Sequence, residues 1–93
     1  MTLGQLRQQA LPGTTAVAAG MIEDVRVILT RGGDQMAFIK IMDFDGSIEA
    51  VVFPKNFVMY KEILKSETVI AMKGRVSNRN GEFSLVAEKL KAL

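Results

Sequence analysis

The sequence predicts an all-β domain with little helix: a small barrel of five strands, with one helix between the third and fourth. Three observations carry this. Val- and Ile-rich segments alternate with period two on either side of a central stretch. Turn-forming clusters separate them at Thr30–Asp34, Asp43–Gly46 and Asn78–Gly81. A single run with helical spacing starts at Pro54, a residue suited to a helix's first turn.

In chain order, residues Thr2 to Thr14 read as a linker or helical lead-in, stopped by Pro12-Gly13. Ala16 to Thr30 reads as one long first strand, with a break expected near Gly20. Gln35 to Met42 forms the second strand, with Ala37, Ile39 and Ile41 facing the core and Met36, Phe38, Lys40 and Met42 facing out. Ser47 to Phe53 forms the third, with Ile48, Ala50 and Val52 inward and Ser47, Glu49 and Val51 outward. Phe57, Tyr60, Ile63 and Leu64 share one face of a helix expected to run about three turns. Thr68 to Ser77 and Glu82 to Leu90 supply strands four and five, joined by an Asn80-Gly81 hairpin signal.

Three strands, a helix and two strands is the order of a five-stranded Greek-key barrel of the OB type, in which the helix plugs one end. An SH3-like barrel is the competing fold, but it does not usually carry such a helix before its fourth strand. The predicted organisation is a lead-in over residues 1–14 and one barrel domain over 15–93.

Composition narrows the function. Ninety-three residues suffice for one domain with a modest core. Cysteine and histidine are both absent, which removes disulfides, the usual zinc ligand sets and any Ser-His or Cys-His nucleophile pair. The chain is therefore not read as an enzyme in itself, and no cofactor is predicted. No apolar run is long enough to span a bilayer, so a cytoplasmic protein with no membrane partner is expected. Twelve Lys and Arg against ten Asp and Glu give a net charge of +2, so any basic footprint must come from local placement.

The segment from Met36 through Asp43-Phe44-Asp45-Gly46 to Phe53-Pro54 resembles the strand-turn-strand signature of the OB domain in bacterial DNA polymerase III alpha subunits. Ala18 to Ile22, Arg26 to Gly32, Lys73 to Val76 and Gly81-Glu82 are similar to the same family in the same order, so the resemblance spans roughly Thr15 to Leu93. It implies a non-catalytic module of a DNA-directed DNA polymerase that contacts single-stranded template during replication, next to regions that bind the sliding clamp and clamp loader. Phe38 to Asp43 with Gly46 is also similar to the anticodon-binding OB domains of aspartyl- and lysyl-type tRNA synthetases. By that resemblance Phe38 stacks on a base and Glu49 occupies the position that hydrogen-bonds a base edge, although Glu49 is an acid in place of their amide.

The expected nucleic-acid-binding residues are Phe38, Lys40, Glu49, Arg31, Lys73, Arg75 and Arg79. Phe38 offers a stacking surface on an outer strand face. Lys40, Lys73 and Arg75 fall on outward lines, and Arg31 and Arg79 lie in the two hairpin loops that flank an OB binding face. Arg26 is a weaker candidate because its parity past Gly20 is open. Phe83, in line with Leu85 and Ala87, is assigned to packing. Asp43 and Asp45 read as turn formers before they read as magnesium ligands, and Gly32-Gly33 as a hairpin turn. The main alternatives are a protein-interaction barrel within the replisome and a free-standing OB-fold protein.

Overall fold

The computed structural model describes residues 2–9, 11–79 and 82–93, and of residues 9, 79 and 82 the backbone only. The elements are α1 (Leu3–Gln9), β1 (Thr15–Leu29), β2 (Gln35–Met42), β3 (Ser47–Val52), α2 (Pro54–Tyr60), β4 (Val69–Arg79) and β5 (Glu82–Ala92). The five strands close into a barrel in the order β1-β2-β3-β5-β4, with β3 and β5 parallel and every other pair antiparallel. This is the OB-fold barrel, with one helix between its third and fourth strands.

Closure depends on the length of β1. Its first half, Thr15 to Met21, pairs with β4, and from Met21 onward it pairs with β2. Gly20 stands at the changeover: a Cβ there would lie 2.6 Å from the Met42 carbonyl oxygen, inside any tolerated contact. The expected break at Gly20 does not occur. The strand is continuous, and its irregularity is a bulge between Ile22 and Asp24, where Glu23 is the extra residue. A matching bulge in β5 inserts Glu88, since Gly74 pairs with Ala87 but Lys73 pairs with Lys89.

The core follows from strand parity. Ile22, Ala37, Ile39, Ile41, Ile48, Ala50, Val52, Ile70, Met72, Val76, Leu85 and Ala87 are buried inside the barrel, and Phe83 packs against them. Met36 departs from its predicted outward exposure, being buried although it shares the face of Phe38. It lies opposite Ile28, beside the point where the chain leaves β3, and an unbranched thioether can lie flat along apolar neighbours on a sheet surface.

The helices contact different strands. α1 packs against β1 and β3, burying Leu3 and Leu6, each worth about 1.5–3 kcal/mol relative to exposure. α2 packs against β2 and β5, burying Phe57 and donating from Asn56 Nδ2 to the Ala87 carbonyl at 2.9 Å. α2 is shorter than the sequence pattern suggested. It ends at Tyr60, after which the Ile63 and Leu64 N–H groups bond to the carbonyls of Tyr60 and Lys61, tightening the chain into turns. That tightening still buries Leu64 and delivers the chain to β1, where Glu67 N–H donates to Ile22 O and Ile22 N–H to Thr68 O. No helix among the described residues is long and apolar enough to cross a membrane.

Candidate nucleic-acid interface

The cross-strand register places outward-facing residues in rows across the barrel. The first row runs Arg26 on β1, Phe38 on β2, Val51 on β3, Val86 on β5 and Arg75 on β4, each opposite the next. Phe38 is half-buried, and the guanidinium carbon of Arg26 lies 5.2 Å from its ring centroid. The bulge at Glu23 is what turns Arg26 onto this face: Ile22 points in, Glu23 and Asp24 point out, and Val25 turns in again. An aromatic ring with an arginine at each end of the row combines a surface for base stacking with anchors for phosphate.

The next row is acidic. Asp24, Lys40, Glu49, Ser84 and Ser77 stand opposite one another, and Lys40 Nζ lies 3.8 Å from Glu23 Oε2. One carboxylate, that of Glu23, thus pairs with the ammonium, while Asp24 and Glu49 stand opposite Lys40 on the neighbouring strands. Lys40 points outward as its parity requires, but its charge is paired with Glu23.

On the other side of the Phe38 row the face is apolar and then basic. Ile28 and Met36 pair there, and Phe53, one residue past Val52 in extended conformation, is 47% exposed. Further round, Lys73 stands opposite Lys89, both exposed. Arg75 also points outward, 3.9 Å from Glu88.

Arg31 is exposed in the β1–β2 loop, which is closed by Thr30 N–H to Asp34 O at 2.7 Å and by Gly33 at positive φ. The side chain of Arg79 and the Asn80-Gly81 turn lie outside the described residues. In the β2–β3 turn the Asp43 carboxylate accepts from the N–H groups of Leu3, Asp45 and Gly46. These bonds, that of Leu3 first, hold its carboxyl below the ordinary value of 3.8 against a smaller opposing effect of desolvation. Asp45 accepts from the Thr2 hydroxyl. Both acids are therefore engaged in joining α1 to the turn, and no cluster of three potential metal ligands occurs among the described residues.

The structure brings Phe38 and Arg75 into one row and places Lys40 and Glu49 in the adjacent one. Arg31 stands apart, in a loop that begins after β1. Sequence reasoning left the face of Arg26 open, where the register now places it opposite Phe38, and did not single out Phe53, Val86 or Lys89. The adjacent charges Glu23-Asp24 and Glu88-Lys89 were the available signal, since two consecutive outward residues in a half-buried strand require a bulge.

A family model described as an OB-fold nucleic acid binding domain matches residues 16–93. The chain is 36% identical over 69 residues to the DNA polymerase III subunit alpha of Saccharopolyspora erythraea, covering 74% of this chain and 6% of that protein. It spans only 5–8% of the length of the curated relatives it matches. By fold it is similar to asparaginyl-tRNA synthetase from Pyrococcus horikoshii, with a TM-score of 0.79 at 20% identity, over 100% of this chain and 22% of that one. It is also similar to a mitochondrial single-stranded DNA-binding protein from S. cerevisiae, with a TM-score of 0.67 at 14% identity, over 89% of this chain and 97% of that one. With the family model spanning the whole barrel, the chain belongs to the OB-fold nucleic-acid-binding domain family and is homologous to the OB region of DNA polymerase III alpha subunits.

Proposed function

We propose that this domain binds single-stranded DNA as a template-handling module of a bacterial replicative DNA polymerase. The observation that carries the reading is the row Arg26–Phe38–Val51–Val86–Arg75, an aromatic ring beside one arginine with apolar residues leading to a second. Unpaired bases expose their faces to such a ring, whereas a duplex keeps them stacked on one another. Sequence homology to DNA polymerase III alpha subunits supplies the context, and the single-stranded DNA-binding protein of similar fold agrees with the ligand class. In that setting the module holds template while other parts of a longer polypeptide carry out nucleotide transfer.

Affinity in isolation is expected to be modest, about micromolar or weaker at physiological salt, because the row offers one or two stacking surfaces and few cations. The test is a fluorescence-anisotropy titration with labelled oligo-dT, the matching duplex and the matching RNA, at two salt concentrations. Salt-sensitive preference for the single DNA strand supports the reading. No binding to any of the three at low salt would defeat it and favour a protein-binding barrel, a reading motivated by the acidic row around Glu49 and the exposed apolar Phe53.

A further inference from the structure

Beyond Val86, past Glu88 and its partner Arg75, lysines on β4 and β5 form a basic strip. Lys73 and Lys89 are directly opposite one another, and Lys91 follows on the same face of β5, opposite Ala71. All three lysines are exposed, and none takes part in an ion pair among the described residues. Like charges directly opposite on paired strands are destabilising, so stability does not account for this arrangement. Nor does simple alternation produce it. Ala87 and Leu90 are both buried, and only the extra residue at Glu88 turns Lys89 outward, where Lys91 also points. The bulge therefore builds the strip.

Its position relative to Phe38 gives it a direction. β5 runs parallel to β3, so moving from Val86 towards Lys89 goes the same way as moving from Val51 towards Phe53. The strip thus lies on the apolar, Phe53 side of the Phe38 row. The carboxylates of Glu23, Asp24 and Glu49 lie on the opposite side. A polyanion crossing Phe38 meets repulsion on one flank, and on the other flank three cations unpaired among the described residues, beyond a Glu88 whose charge is paired with Arg75.

We infer that the β4–β5 strip of Lys73, Lys89 and Lys91 is a phosphate track that carries a nucleic-acid strand off the Phe38 row and around the barrel. This rests on the single-strand reading above and extends it. Lys73 to Arg75 and Lys89 to Lys91 each span about 7 Å along a strand, so the strip accommodates about two further phosphates. Lys40, paired with Glu23 on the acidic side of the row, is not part of the path.

The test compares the unaltered chain with Lys89→Gln/Lys91→Gln and with a control of equal charge change, Lys61→Gln/Lys65→Gln. Each is titrated with oligo-dT of about 4 and about 12 nucleotides over a salt series. The track predicts that Lys89→Gln/Lys91→Gln flattens the log-log salt slope for the longer oligonucleotide by about 1.4, at about 0.7 per single-strand phosphate contact. The shorter oligonucleotide should be bound as before, and the control should behave as the unaltered chain. An unchanged slope, or an equal loss in the control, overturns the track while leaving the Phe38 site standing. Failure of the unaltered chain to bind either oligonucleotide overturns both.

Discussion

Arg26 and Phe38 face each other across β1 and β2, with the guanidinium carbon 5.2 Å from the ring centroid. At an exposed site such a cation–π contact is worth about 0.5–1 kcal/mol, little enough for a base to displace it or to join the stack. The arginine thus pre-orients the ring and, under the proposed function, would keep a cation near the phosphate of a base stacked on it.

Phe38→Ala should weaken oligo-dT binding by about 1–3 kcal/mol, roughly five- to 150-fold, while Phe38→Tyr retains most of it. Arg26→Gln should act differently, flattening the salt slope by about 0.7 as one phosphate contact is lost. Anisotropy titrations of the variants over a salt series separate the two effects. Equal affinity of Phe38→Ala and the unaltered chain would remove stacking from the account.

Glu49 sits opposite Lys40 on one side and Ser84 on the other, in the acidic row. Its charge should oppose the approach of a polyanion. Glu49→Gln is expected to raise affinity for oligo-dT at low salt by about 0.5–1 kcal/mol, roughly two- to fivefold, with the gain shrinking as salt is added. A loss of affinity instead would mean that the carboxylate accepts hydrogen bonds from a base edge and belongs to the recognition surface.

Gly20 tests closure of the barrel rather than binding. A methyl group there would press on the Met42 carbonyl at 2.6 Å, where backbone rather than a pliable side chain must yield. Overpacking of this kind costs about 1–3 kcal/mol, and each kcal/mol lowers the midpoint of a domain this size by about 4–8 °C. Thermal melts of Gly20→Ala should show that drop, with oligonucleotide binding retained well below the midpoint. An unchanged midpoint would mean that β1 and β2 can separate here without cost.

The barrel was legible because its signals are local. Alternation in Ala37-Phe38-Ile39-Lys40-Ile41 sets which residues are core, and a helix opening at Pro54 between the third and fourth strands sets the topology. The site was legible only in part, for a physical reason. Residues such as Phe38 and Lys73 lie on segments of regular parity, so their outward direction follows from counting. Arg26 and Lys89 lie beyond bulges, where counting by twos assigns the wrong face. The pairing of Lys40 with Glu23 depends on the register between β1 and β2, which the bulge also shifts. Exposure of Phe53 and burial of Met36 arise where β3 gives way to α2, a boundary at which the periodicities of strand and helix meet.

Asp43 links pH to the attachment of α1. Its carboxylate accepts from the Leu3 N–H at 2.9 Å and from those of Asp45 and Gly46 at 2.8 and 3.0 Å, and these bonds hold its folded-state value below the ordinary 3.8. A depressed folded value means that the ionised form favours folding. The contribution is complete above the unfolded value of about 3.9 and is lost as pH falls through the lower folded one. Asp43→Asn removes the charge, and its amide group offers one acceptor oxygen where the carboxylate offers two. The variant should therefore melt below the unaltered chain at neutral pH, with the gap closing once both are acidified past the folded value. Hydrogen exchange should show the difference concentrated at the amides of Leu3, Asp45 and Gly46, where the lost bonds lie. A gap that stays constant down to the acid limit would show that the carboxylate's charge has no part in holding α1 to the turn, and that the loss comes from the shape of the substituted side chain.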